Sequence, residues 1–259
     1  MHRPGGTMTN TDMLGAVADG GAAMEQAVAI FMLHPENFAA SIAAGYENPL
    51  AGYVAGRGGV LGEASGATVG AVFAVFEPSG LAAMWDEGIA VRGAAGAAQQ
   101  YWAQAADFGR KYLAGVQGLD RLAALGEKVI TATPTAGLPL FAGWREMPLA
   151  DDAAARALQV MFVLRELRAG VHFNALTISG ITPVEAHMLN KGHDYTTMFG
   201  WPEPFADGAD KADRYAEIEQ ATNRRMTEVF TAALDPAEVE EIARLGAEAL
   251  SALKANVPS

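Results

Sequence analysis

The sequence predicts a mainly α-helical protein, and three observations carry that prediction. Hydrophobic residues make up 51% of the 259-residue chain but aromatic ones only 8%, so the excess is small aliphatic, a composition that favours close-packed helices over an aromatic-rich sandwich. Two segments open as helices should. Thr182-Pro183-Val184-Glu185 and Asp235-Pro236-Ala237-Glu238 each offer a capping oxygen, a proline at the first helical position and a carboxylate that reaches back to the cap amide. After the second, Val239, Ile242, Leu245, Ala249, Leu250 and Leu253 recur at helical spacing, with Glu240, Glu241 and Glu248 turned away.

In chain order, residues 1–20 read as a disordered tail: the leader is polar, and Asp12 and Asp19 precede any sustained apolar run, the reverse of a signal peptide. Helices are predicted over 24–33, 80–89, 95–113 and 119–131, with His34, before Pro35, as a C-terminal cap of the first. The run 69–76 is apolar without a diagnostic period and suits a strand or a buried helix. Proline and glycine mark 133–144 and 200–210 as connecting loops. Asp151 or Asp152 caps a helix whose Leu158, Met161, Phe162, Leu164 and Leu167 are nearly continuous, so it is central and buried on most sides. It gives way to a segment opened by Gly170 that carries His172 and Asn174. A short helix spans 183–191, another 211–233, and Gly246 on the apolar side of the last helix lets a neighbour approach closely.

Composition and motifs exclude several chemistries. With 18 basic and 30 acidic side chains the formal charge is −12, which argues against a nucleic-acid partner, because phosphate contacts need clustered Lys and Arg. The absence of Cys excludes disulfides, thiolate metal sites and a cysteine nucleophile, and suits a reducing cytoplasm. The apolar runs 27–33 and 67–76 fall short of the ~20 residues of a membrane span, so no membrane partner is expected. No metal is expected: H-E-x-x-H is absent, and His187 and His193 are spaced off a shared helix face. Neither Ser65 nor Ser179 sits in G-x-S-x-G. Gly56 to Gly62 spells a glycine-rich loop, but Pro49 and Gly52 spoil the strand that should feed it, so close helix packing is the better reason for its glycines. No motif names a cofactor.

The long helix, a break near Gly180, the short helix and a turn at Gly192-His193 have the lengths of a helix-turn-helix unit. Between 161 and 200, Arg165, Arg168 and Lys191 are matched by Glu166, Glu185 and Asp194, so no basic face forms. Trp201-Pro202-Glu203-Pro204-Phe205 stands where a wing would need two strands. The expectation is a degenerate helix-turn-helix scaffold without its DNA function.

Large apolar side chains gather near this unit: Phe173, Met188, Tyr195, Met198, Phe199 and Trp201. Ordinary core explains most of them; the functional alternative is the wall of an apolar pocket. Tyr53 and Arg57 are four apart, and Arg57 suits an anion contact or an internal salt bridge. His172 is the histidine best placed for chemistry, against the plainer role of a satisfied core residue.

An ordered set of motifs runs through both halves. It comprises Gly45-Tyr46, Tyr53-Val54-Ala55-Gly56-Arg57, Leu61-Gly62 and Phe73-Ala74-Val75-Phe76-Glu77-Pro78, then Ala136-Gly137-Leu138-Pro139-Leu140 and Leu164-Arg165-Glu166-Leu167-Arg168 with His172. Glu185-Ala186, Gly200-Trp201 and Ile218-Glu219-Gln220-Ala221-Thr222-Asn223-Arg224 complete it. Over roughly residues 25 to 255 the chain resembles an actinobacterial family of helix-turn-helix-derived proteins. The resemblance implies a two-lobed helical fold with degenerate winged-helix character and no particular reaction. Where that family tends to read Arg-Gly-Asp-Gly-His, this chain has Arg168-Ala169-Gly170-Val171-His172, so a partner for His172 must come from elsewhere, Glu166 and Glu185 being candidates. Asn223 stands where the family tends to have Asp.

The resulting expectation is a tail over 1–20, an N-terminal helical lobe over 21–145 and a helix-turn-helix-like lobe over 146–259, packed as one unit. Between the lobes lies an apolar pocket for a hydrophobic or aromatic ligand, walled by Tyr53, Phe173, Met188, Tyr195, Phe199 and Trp201 and anchored by Arg57, His172 and Asn174. The alternatives are a specialised-metabolism enzyme using His172 as acid or base and, third, a transcriptional regulator. The stripe from Val239 to Leu253 either pairs with a second copy in a homodimer or closes the core.

Overall fold

A computed structural model describes residues 9–258, and among these it has twelve α-helices and no strand. They are α1 (Asn10–Leu33), α2 (Pro35–Ala43), α3 (Pro49–Gly58), α4 (Gly66–Phe73), α5 (Pro78–Tyr112) and α6 (Leu119–Ala132). There follow α7 (Pro139–Trp144), α8 (Ala153–Ser179), α9 (Pro183–Lys191), α10 (His193–Met198), α11 (Ala212–Ala233) and α12 (Pro236–Asn256). The fold is mainly α, as the composition requires.

The first correction is at the start. Residues 10–20 are not a tail but the first half of α1, opened by a capping box between Thr9 and Asp12 and held by the burial of Val17 and Gly20. Residues 1–8 lie outside the described residues. Joining the two halves also corrects the membrane reading: α1 has 24 residues and an 18-residue stretch of mean hydropathy 1.3, enough by length and composition to cross a bilayer. It packs instead against α8, α11 and α12, with 44% of the apolar stretch buried.

Elsewhere the local chemistry decides the boundaries. Gly93, at φ 70°, lets the two helices predicted over 80–89 and 95–113 run on as the single kinked α5. The ambiguous run 69–76 falls largely in α4, capped by Ser65. Four short helices escaped the periodicity, α2, α3, α7 and α10, and three of them begin with proline. His34 both ends α1 and caps α2, accepting from the Glu36 amide through Nδ1 at 3.2 Å.

The segment after Gly170 is corrected too. α8 runs through Gly170 to Ser179, because the missing side chain admits Leu138, whose Cδ2 would lie 2.7 Å from a Cβ there. His172 and Asn174 therefore stand on the central helix. α8 ends at Gly180 (φ 76°), and a three-residue turn leads to α9, whose bounds match the sequence prediction.

One continuous apolar cluster runs from Val17 to Leu253, so helices on both sides of the boundary expected near residue 145 share it. Phe162 of α8 sits at its centre against Tyr101, Trp102 and Trp144. The α12 stripe is buried within this cluster, where α12 packs on α1 and α6. Of the two readings of this stripe, the one that closes the core therefore holds.

Candidate functional site

Extending α8 to Ser179 places Arg165, Arg168, Ala169, His172, Phe173 and Leu176 along one stripe at spacings of three and four. This stripe is the floor of a cleft of about 460 Å³. α1 contributes Glu25, Ala29, Met32 and Leu33, α3 contributes Tyr53 and Arg57, and the α4–α5 connection contributes Val75 and Phe76. α9 and α10 form the facing wall with His187, Leu189, Asn190, Lys191 and Tyr195, Phe199 following, while Tyr215 and Glu219 come from α11.

Six of the nine residues singled out from the sequence line this cleft: Tyr53, Arg57, His172, Phe173, Tyr195 and Phe199. Three do not. Asn174 faces away and donates to the Gly137 carbonyl at 3.2 Å, beside a smaller cavity of about 220 Å³ on the other side of α8. Met188 is half-buried and lies off the cleft, because the α9 face turned inward carries Ala186, His187 and Asn190. Trp201 holds the wall from behind, its indole N–H donating to the Val75 carbonyl at 2.8 Å. The sequence reading missed Arg165 and Arg168 as site residues, although their register with His172 would have revealed them once the helix was continued past Gly170.

The charged groups form two clusters. Arg57 is buried and forks onto Glu166, Nε to Oε1 at 2.8 Å and Nη2 to Oε2 at 2.9 Å, which settles it as an internal ion pair. Arg165 donates to the same Oε1 at 2.8 Å. Burial opposes the charge on Glu166, but Arg57 and Arg165 outweigh it and hold the carboxyl below its ordinary value. The second cluster centres on Arg168, which donates to Glu25 at 2.9 Å and Glu219 at 2.8 Å.

His172 meets neither expected partner, since Glu166 is taken by the arginines and Glu185 caps α9 and pairs with Lys211. Its neighbours come from α11: Glu219 Oε1 and Thr222 Oγ1, each 3.4 Å from Nδ1. Thr222 gives its own proton to the Ile218 carbonyl at 2.9 Å, so Nδ1 is the donor and Nε2 keeps its lone pair. Burial lowers the pKa of His172, offset in part by Glu219, so the ring is neutral at pH 7.

The wall is tied to the floor by the residues after α4. Ala74 takes φ 58°, a costly conformation for a side-chain-bearing residue, and turns the chain so that Val75 and Phe76 enter the cleft. The Val75 carbonyl faces His187 Nδ1 at 3.2 Å, the Glu77 amide donates to the Phe199 carbonyl at 3.0 Å, and Phe76 packs on Phe199 with ring centroids 4.2 Å apart.

Comparison with known proteins bears on this arrangement at one point: residues 19–257 match the model of a helix-turn-helix family. The chain belongs to that helix-turn-helix family. Neither the curated proteins nor the solved structures provide a match. Membership overturns the expectation of no nucleic-acid partner, because a helix-turn-helix family points toward a nucleic-acid-binding domain. The physical weakness of that expectation is that −12 is a sum over the whole chain, whereas charges farther apart than about 8–10 Å are screened at physiological salt. In this helix-turn-helix protein α8, the turn at Gly180, α9 and α10 have the connection lengths of such a unit, and α9 and α10 also wall the cleft.

Proposed function

We propose that this helix-turn-helix protein binds a small hydrophobic or aromatic molecule in the cleft and that occupancy bears on the placement of α9 and α10, and through them on a nucleic-acid partner. The observation that carries the reading is a cleft of about 460 Å³ with α9 and α10 as one wall, a volume typical of small-molecule sites. Tyr53, Phe173, Tyr195 and Phe199 supply apolar surface there, as such sites require. A cysteine-free regulator of this kind belongs in a reducing cytoplasm.

Thermal-shift screening with planar hydrophobic compounds tests the binding half: a ligand of the folded state raises Tm with its concentration, and a panel without any shift overturns the reading. Duplex titration at low salt, with and without the best ligand, tests the coupling half. Ligand and duplex must alter each other's affinity by the same factor, so a ligand that leaves duplex affinity unchanged ends the coupling.

A second reading is favoured by the His172, Glu219 and Thr222 cluster: an enzyme of specialised metabolism in which neutral His172 accepts a proton through Nε2. Full turnover of a cleft ligand by His172→Ala would eliminate that role.

A further inference from the structure

We propose that the molecule taken by the cleft is an organic anion, whose acidic group lies against Arg165 and whose apolar body lies against Tyr53, Phe173 and Phe199. The inference rests on the cleft being the ligand site and adds the ligand's charge and direction.

The charges facing the cleft are unevenly satisfied. Glu166 is a single carboxylate held by two guanidinium groups, and the fork from Arg57 already neutralises it. Arg165 therefore carries a positive charge without a counterion of its own. It uses Nη1 alone, on Glu166, and among the described residues its Nε and Nη2 have no protein partner. Its side chain is 20% exposed, so this charge sits in a partly dry wall, where an incoming anion is attracted more strongly than in open water. Lys191 also lines the cleft and is in no ion pair among the described residues. One turn further along α8 the sign reverses, because Glu25 and Glu219 share the one guanidinium of Arg168. An acid is repelled there and drawn to Arg165, which fixes its direction.

The core behind Arg165 is short of acceptors as well. The Tyr101 hydroxyl, in the core behind the cleft and not part of its lining, is buried and has no hydrogen-bond partner, and burial drives its pKa well above the ordinary phenol value, with Tyr53, Arg57, Arg165 and Glu166 near enough to act on it. Arg57 Nη1 reaches only the Tyr53 hydroxyl, at 3.5 Å. Donors around Arg165 thus outnumber acceptors, and of these it is Arg165 itself, together with Lys191, that lines the cleft with charge to spare for a carboxylate or sulfonate.

The test uses two dyes that differ by one anionic group, 8-anilino-1-naphthalenesulfonate and N-phenyl-1-naphthylamine, titrated by fluorescence against the full chain. The sulfonate should bind at least about tenfold more tightly, as a charge-assisted contact implies, and rising salt should weaken it but not the neutral dye. Arg165→Gln should remove that preference and leave the neutral dye within about twofold. Ala29→Trp, which fills the cleft, should abolish both. Equal binding of the two dyes, both lost in Ala29→Trp, overturns the anion inference and leaves the cleft as a ligand site. A sulfonate preference that survives Arg165→Gln overturns the assignment to Arg165. Failure of both dyes to bind in a manner sensitive to Ala29→Trp overturns the inference together with the reading beneath it. Should Arg165→Gln fail to fold, the salt dependence of the wild-type chain decides.

Discussion

The Arg57–Glu166 pair connects α3 to the middle of α8, and both side chains are almost wholly buried. Such a pair is sensitive because removing one partner strands the other charge in the core. Glu166→Gln should cost about 3–5 kcal/mol in urea unfolding, whereas Arg57→Met with Glu166→Leu should recover most of that loss. A loss below about 1 kcal/mol in the single variant would mean that the pair is not dry. His172 gives the complementary prediction. Its folded pKa is lowered from 6.5, so below 6.5 the unfolded chain binds more protons and stability falls as pH drops; above 6.5 the contribution is complete. Wild type should therefore lose Tm on acidification below pH 6.5 more steeply than His172→Gln. At this scale the sequence was half legible. The i, i+4 register of Tyr53 and Arg57 put both on one face, and Arg57 was open to a salt bridge. That its partner is Glu166, and that Glu219 and Thr222 meet His172, depends on which faces of α3, α8 and α11 pack together, which no local spacing encodes.

Element boundaries were legible where they rest on local chemistry and hidden where they rest on packing. α9 was predicted over its observed bounds because Thr182, Pro183 and Glu185 form its start by themselves. Its Glu185 carboxyl is held down at about 2, first by Lys211 and then by the Thr182 amide and hydroxyl. A depressed carboxylate stabilises fully above its unfolded value, 4.5, and loses that contribution as pH falls toward the folded value, about 2. The Tm difference between wild type and Glu185→Gln should thus shrink steadily between pH 4.5 and 2. Thr182→Ala should cost about 1 kcal/mol as a lost cap, read by the same melts. The break at Gly180 was legible, but the unbroken course of α8 through Gly170 was hidden for the opposite reason: in isolation Gly170 looks like the opening of a new segment, and only Leu138, packed into the space of its missing side chain, explains why the helix continues.

For the whole molecule, composition was enough to predict a helical fold, but not the way its two ends meet. α1 and α12 pack along their lengths, and the contact is made close by glycine on each side. A Cβ at Gly20 would lie 2.8 Å from both Cα and Cβ of Ala243, and one at Gly246 would lie 3.1 Å from Met24 Cγ. The role of Gly246 was legible from its place on an apolar stripe; that of Gly20 was not, because polar neighbours made residues 1–20 look like a tail. Two alanine substitutions in α1 separate these views. Gly15 is exposed with nothing within 4 Å of its Cβ position, so Gly15→Ala should stabilise by about 0.5–1 kcal/mol through helix propensity alone. Gly20→Ala gains the same propensity but must push the α12 backbone away, and should destabilise by about 1–3 kcal/mol. Urea unfolding of both variants gives the signs directly. If Gly20→Ala also stabilises, α1 is not seated on α12, and the chain does not close its core by joining its first helix to its last.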